Sequence, residues 1–368
     1  MKKELDQKKI GFQDIHLELL ASDSYGVRSM ACGVETPDCR ILIDPGCSLG
    51  PHGNLKIPHP QEWIQNKRMT EKLLEYAKTA QYLFISHFHR DHYKPPEPDY
   101  FYLYTDHEIA AALYAGKTIF HKSMADLGHY QRTRLQSLIK CWEPIVKEHI
   151  EIQPNPIIQD KQTVFIHEQR IGNTHLLFPL PISHAEVGTK MGRVQPIIVK
   201  HQNEAVFFWG DVHGFANRQP NDPLSLIKKA QHMAWFQEIE QKVLIFDGPP
   251  ESQFLRPPIQ QWLADYYSSL LTQFNTLICD HHPYRSKNID QWLQLEHKIQ
   301  TLKERPEGQI FNYFDLAAAQ PLGLNERRSA VCEANRIELY HDSPPSQEYL
   351  QWGQNCLRGL TEIRPPIA

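Results

Sequence analysis

Four side chains able to hold a metal fall within six residues of this chain. They are His87, His89, Asp91 and His92, in Phe84-Ile-Ser-His-Phe-His-Arg-Asp-His92. Imidazole nitrogens suit zinc and other first-row transition metals, and a carboxylate among them supports a second ion. A single histidine here would read as a satisfied structural residue. The pattern H-x-H-x-D-H points instead to a metal loop, even in a chain with 20 histidines among 368 residues.

The loop follows a short apolar run, residues 82–85, which reads as a strand delivering the ligands at its end. Three later strand ends also carry ligand-type residues. His184 follows the apolar segment 176–182 and precedes a glycine-bearing loop. Asp211 follows Val206-Phe-Phe-Trp-Gly210, and His281 and His282 follow Leu277-Ile-Cys-Asp280. Singly, each has an ordinary reading: an aspartate closing a turn or capping a helix, a histidine exposed or bonded to backbone. Their shared placement after apolar runs, in the order His, Asp, His, makes them joint candidates for one centre.

The elements that must position them are short. Apolar and β-branched runs recur at 40–44, 82–85, 175–180, 205–209, 243–246 and 276–279, most ending in Gly, Pro, Asp or His. Helical spacing runs through 61–80, 108–114, 131–142, 224–240, 259–274 and 289–304. Strands and helices interleaved in this way predict a layered α/β domain. Residues 1–14 read as a solvated leader, 15–341 as one domain with helical insertions, and 342–368 as a peripheral C-terminal tail.

At 41% hydrophobic the chain can bury one large core or two modest ones. A net charge of −4 gives no global basic field, so nucleic acid is not the favoured substrate. Seven scattered cysteines without C-x-x-C spacing read as reduced thiols. The N-terminus is charged and lacks the apolar stretch of a signal peptide. No apolar segment approaches bilayer length, so the expected location is cytoplasmic, with no membrane partner.

The order of the ligand motifs resembles the metallo-β-lactamase superfamily. Within it the chain is similar to an uncharacterised family of predicted metal-dependent hydrolases common in archaea. That likeness is carried by Ser24-Tyr-Gly-Val-Arg-Ser-Met-Ala31, Ile41-Leu-Ile-Asp-Pro-Gly46, Tyr114-Ala-Gly-Lys117, Gln131-Arg-Thr-Arg134 and Glu186-Val-Gly-Thr189. Asp247-Gly-Pro-Pro250, Ala317-Ala-Ala and Glu333-Ala-Asn-Arg336 continue it, over residues 18–341. The resemblance implies an α/β fold, the αββα metallo-β-lactamase sandwich, with two facing mixed β-sheets between outer helices.

It also implies His87, His89 and His184 on one metal, Asp91, His92 and His281 on a second, and Asp211 bridging. His281 is preferred to His282 because it directly follows Asp280 and has Arg285 four residues on, similar to the terminal motif of tRNA-processing members. His282 then lies behind it or faces substrate. Two motifs depart from the family pattern. Ser183-His184-Ala185 replaces Pro-His-Gly, and Gly210-Asp211-Val-His213-Gly214 replaces Ser-Asp-Val-Gln-Gly, adding an imidazole.

The implied cofactors are two divalent metal ions, zinc first, with iron or manganese as alternatives. Such a pair, roughly 3.5–4 Å apart, activates a bridging water and clamps attacking and leaving oxygens. The expected protein is a dinuclear hydrolase using a metal-bridging hydroxide on an anionic ester, phosphodiester ahead of lactone or other acyl substrates. Asp91 would hold metal and take up a proton, while His282 and His213 would protonate the leaving group. Arg28, Lys117, Arg132, Arg134 and Arg285 could bind a small or medium anionic substrate, although each alone is an ordinary surface charge. Asp44 either orients a ligand histidine or closes the turn before Pro45-Gly46. Asp247 either lines the pocket or shapes its own turn. The alternative activity is a diiron or manganese oxygen-activating oxidoreductase on the same fold; flavin-partnered diiron members usually carry a glutamate where this chain has His89. A homo-oligomer is compatible with the sequence.

Overall fold

The computed structural model describes residues 12–23, 27–49, 60–97, 103–153, 165–184, 192–212, 223–230, 233–248, 255–280 and 309–311. Gln291, Gln294, Leu295 and Gln351 are described beside them. The first sheet consists of β1 (His16–Ser22), β2 (Met30–Glu35), β3 (Arg40–Ile43), β4 (Tyr82–Ile85), β5 (Thr118–Lys122) and β6 (Glu148–Ile152), in that spatial order. β1 to β3 pair antiparallel, and β3 to β6 run parallel. Parallel neighbours need crossovers, and helices supply them. α1 (Pro60–Ala77) joins β3 to β4, α2 (His107–Tyr114) joins β4 to β5, and α3 (His129–Trp142) joins β5 to β6.

The chain then forms β7 (Phe165–Ile171), β8 (Thr174–Pro179), a hairpin of β9 (Ile182–Ser183) and β10 (Arg193–Val194), β11 (Ile197–His201) and β12 (Glu204–Gly210). β13 (Gln241–Asp247), β14 (Thr276–Asp280) and β15 (Gln309–Phe311) complete the second sheet, in the order β15-β14-β13-β12-β11-β8-β7. Its β12–β15 half is parallel and its β7–β12 half antiparallel. α4 (Pro223–Ala230) and α5 (Ala234–Gln237) precede β13, and α6 (Pro257–Leu271) precedes β14.

Strand alternation decides which core each side chain joins. Val206 and Phe208 of β12 enter a core shared with the first sheet, where Phe178 lies 5.7 Å from Phe84 and 5.4 Å from Phe120 between ring centroids. Phe207 and Trp209 face the other way and pack with Leu263, Tyr267 and Leu270 of α6. On the far side of the first sheet, Tyr76 of α1 lies against Gly33 of β2. Two mixed sheets face each other between outer helices, the αββα sandwich that the resemblance implied.

Several boundaries differ from the sequence reading. The helix expected over 224–240 is two short helices, because Met233 is extended (φ −87, ψ 134) and starts the second afresh. β1, β2, β5, β6, β7, β9, β10, β11 and β15 were not among the expected strands. Phe12 is already buried in the core, and the N–H groups of Asp14 and Ile15 donate to the buried Glu204 carboxylate at 3.0 and 2.8 Å. The chain therefore joins the fold before residue 15. The expected helix at 289–304 and the tail at 342–368 lie outside the described residues, apart from Gln291, Gln294, Leu295 and Gln351. Among the described residues no helix is long and apolar enough to cross a membrane.

Candidate metal centre

β3, β4, β8 and β12 end at one edge of the sandwich, and the residues after them meet there. β3 leads into Asp44, β4 into Ser86 to His92, β8 through β9 into His184, and β12 into Asp211. Two local devices aim these residues. Gly210 takes a left-handed backbone (φ 70), and the β12–β13 register shifts between Phe208 and Gly210, which turns Asp211 off the strand line. A Cβ there would lie 3.0 Å from Val194 Cγ1, so glycine fits for space as well. Within the ligand loop Phe88 is fully buried, which leaves His87 and His89 together on the opposite side.

Three groups of side chains offer ligand atoms within 4.8 Å of one another: His87, His89, His184 and Asp211; Asp91, His92 and Asp211; and Asp44, His87 and His92. His87 Nε2 and His89 Nδ1 are 2.9 Å apart, and His184 Nε2 is 2.7 Å from Asp211 Oδ2. The same Asp211 oxygen lies 3.7 Å from His92 Nε2 and 4.0 Å from His87 Nε2, while Asp91 Oδ2 is 3.8 Å from His92 Nε2. Bonds of roughly 2.0–2.2 Å to one tetrahedral ion hold its ligand atoms about 3.3–3.6 Å apart. The spacings bracket that value, and nitrogen with carboxylate oxygen is a suitable donor set. The cluster fits metal ions.

A second layer fixes the imidazoles. The Asp44 carboxylate accepts from Ser86 N at 2.7 Å and Ser86 Oγ at 2.6 Å, and pairs with His92 Nδ1 at 2.7 Å. Ser86 Oγ, having donated to Asp44, accepts from the N–H at His87 Nδ1 at 3.0 Å. One buried carboxylate thus holds the backs of two histidines and leaves both Nε2 atoms facing inward. Asp44 itself sits at φ 46, and its carbonyl accepts the Gly46 N–H at 2.7 Å, so it closes the turn as well. The two sequence alternatives coexist. Asp44→Asn keeps the volume and removes the charge, and is expected to weaken metal retention roughly 10–100-fold. Dialysis against graded chelator with elemental analysis reads this, and unchanged retention would remove Asp44 from that role.

α3 supports the loop from outside. Gln131, Leu135, Leu138 and Trp142 form its buried stripe. Gln131 Oε1 accepts the Phe88 N–H at 3.1 Å, and Arg134 Nη1 donates to the Phe88 carbonyl at 2.9 Å. Both sides of the residue between His87 and His89 are therefore clamped. Gln131 Nε2 also lies 3.3 Å from His89 Nε2.

Burial and the neighbouring imidazoles hold His87 well below the ordinary histidine range. Burial, followed by the His184 imidazole, lowers His89 to about 3 against the pull of Asp91 and Asp211. Both are neutral at pH 7, as ligation requires. Burial works against charge on His92 too, but the carboxylates of Asp44, Asp91 and Asp211 outweigh it and raise it to about 10.

The other sequence candidates scatter. Arg28 Nε pairs with Asp91 Oδ2 at 3.0 Å, bringing a cation onto a candidate ligand. Asp247 is fully buried at the end of β13, opposite Asp280 in register. Lys117 is spent elsewhere, donating to the carbonyls of Ala77 and Ala80 at the end of α1. Arg132 donates to the Leu127 carbonyl at 3.3 Å. His213, His281, His282 and Arg285 lie outside the described residues. The described cysteines 32, 39, 47, 141 and 279 are all free. Ser86, Gln131 and the clamp by Arg134 were not foreseen as parts of the site.

A UPF0282 protein of Pyrobaculum arsenaticum is 30% identical over 334 residues, covering 91% of this chain and 97% of the relative. The chain belongs to the UPF0282 family. A UPF0282 protein of Pyrococcus abyssi is 30% identical over 348 residues, covering 93% of the chain and 98% of its own length. One of Methanopyrus kandleri is 28% identical over 327 residues, covering 87% and 97%. These UPF0282 relatives are archaeal, and the likeness spans most of the chain, as the sequence resemblance implied. No family model matches. Among solved structures, a mutant of CmlA beta-hydroxylase aligns at 10% identity with a TM-score of 0.41, covering 82% of this chain and 52% of that one. The chain spans about half of that protein's length.

Proposed function

We propose that this UPF0282 protein is a dinuclear metal-dependent hydrolase of a small anionic ester, with phosphodiesters ahead of lactones and other acyl substrates. The observation that carries the reading is Asp211, a buried carboxylate common to the four-residue group with His87, His89 and His184 and to the three-residue group with Asp91 and His92. Through it, His87, His89 and His184 would hold one divalent ion, and Asp91 and His92 a second, with His281 completing that set. Zinc is the metal this nitrogen-rich donor set favours, with iron or manganese as alternatives. Ions held there would supply an activated water and stabilise charge on the transferred group.

The chain's own residues do the rest. Asp44 and Ser86 hold the Nδ1 sides of His87 and His92 and aim both Nε2 atoms inward, and His92, raised to about 10, would give up its Nε2 proton on ligation. Ser86 is occupied by those bonds and is not positioned as a nucleophile, which leaves water as the attacking group. Asp91 is paired to Arg28 and is the proposed proton acceptor. His213 and His282 are the proposed donors to the leaving group, because imidazole titrates near neutral pH.

Elemental analysis of the purified protein, followed by a panel of phosphodiester, phosphonate, lactone and thioester substrates, tests this. About two metals per chain and oxygen-independent turnover of an anionic ester are expected. Oxygen uptake coupled to product formation would overturn the hydrolase reading.

A further inference from the structure

We propose that the cavity beside His89 is the substrate subsite of the centre and selects a small ester joining an anionic group to a planar ring. The proposal rests on the hydrolase reading above. Of the six described candidate ligands, His87, Asp91, His92, His184 and Asp211 are buried, whereas His89 is partly exposed. His89 opens into a cavity of about 500 Å³, lined also by Gly128, His129, Tyr130, Gln131 and Arg134. A molecule in that cavity therefore lies against a ligand of the proposed first metal. The volume falls within the roughly 300–1,000 Å³ typical of small-molecule sites.

The lining sets the chemistry. Arg134 is its guanidinium, and among the described residues none that lines the cavity is acidic. Its bond to the Phe88 carbonyl holds it on the loop that carries His89, so a captured anion is placed in register with the metals. A planar fork of donors matches phosphate or carboxylate oxygens. Gly128, which caps α3 without a side-chain bond, adds a first turn of backbone amides to the same wall. The ring preference comes from Tyr130. It is 78% exposed, the large hydrophobic side chain most open to solvent among the described residues, and it stands at the cavity with its ring 5.8 Å from that of His129 in an edge-on arrangement. An aromatic face presented at a pocket is a stacking platform for a second planar ring.

The test uses full-length protein of measured metal content and two inert probes, phenylphosphonate and methylphosphonate, with binding followed by calorimetry. Phenylphosphonate is expected to bind about tenfold more tightly than methylphosphonate. Tyr130→Ala should abolish that preference and leave methylphosphonate binding unchanged. Arg134→Gln should weaken both probes about tenfold per protein of matched metal content, which is measured because the same side chain clamps Phe88 between His87 and His89. If that variant loses metal, Tyr130→Ala alone decides. Equal affinity of wild type for the two probes, binding of neither, or a preference that survives Tyr130→Ala overturns the subsite. The two readings fail separately. Probe binding as expected without turnover of any ester would sink the hydrolase and spare the subsite. Turnover with kcat/KM untouched by either substitution would do the reverse.

Discussion

Asp211→Ala is expected to release about one metal per chain and to lower turnover by more than about a hundredfold, with the fold retained. Loss of a partner one layer behind a ligand costs roughly 10–100-fold in affinity or activity. A carboxylate shared between two ligand groups should exceed that. Asp211 Oδ2 approaches His184 Nε2 at 2.7 Å, His92 Nε2 at 3.7 Å and His87 Nε2 at 4.0 Å, and among the described acids it is the one grouped both with His89 and His184 and with Asp91, whereas Asp44 is grouped with His87 and His92. The sandwich does not depend on this side chain, because β12 is held by backbone pairing to β11 and β13 and by Val206 and Phe208 in the core. Elemental analysis with circular dichroism separates the outcomes. Retention of both ions in a folded variant would remove Asp211 from the bridge.

The candidate ligand loop was legible because one short segment carries all four ligand-type residues, so their types and spacing are fixed locally. His184 and Asp211 were legible for a related reason: each follows an apolar run, and a strand delivers whatever comes after it to the sheet edge. The interior strands β3, β4, β8, β12, β13 and β14 showed as apolar runs because they are buried on both faces, whereas β2, β5 and β11, equally buried, are broken by Gly33, by His121 and Lys122, and by Lys200 and His201. β6 and β7 did not, since Glu-His-Ile-Glu-Ile and Phe-Ile-His-Glu-Gln-Arg-Ile carry charges that mask the alternation. The second layer was beyond a local reading. Asp44 meets Ser86 across 42 residues, and Gln131 meets Phe88 across 43, so both contacts exist only once the strands and α3 are in place. The helix misjudged over 224–240 shows the converse error, in which apolar spacing continues through a backbone break that periodicity does not register. The choice between His281 and His282 remains with the sequence, because both fall outside the described residues.

Gly46→Ala should disable the second metal set more than the first and lower stability by about 1–3 kcal/mol, the usual cost of overpacking a filled interior. Gly46 lies in the turn after β3, hard against the ligand loop. A Cβ built on it would stand 2.1 Å from Tyr93 N, 2.5 Å from the His92 carbonyl carbon and 2.8 Å from that of Asp91. All three atoms are backbone, so no rotamer change relieves the contact and the loop itself must move. The segment displaced carries Asp91 and His92, and its shift would draw His92 Nδ1 away from Asp44, now 2.7 Å distant. His87 and His89 lie earlier in the loop, before the displaced segment, and are clamped through Phe88 by Gln131 and Arg134, so the first set should be largely kept. Gly128→Ala is the control: no atom lies within 4 Å of its added Cβ, and both ions should remain. Metal stoichiometry and thermal unfolding with and without chelator read the contrast. If Gly46→Ala bound two ions and melted like the wild type, close packing of this turn could not be what holds Asp91 and His92 in place.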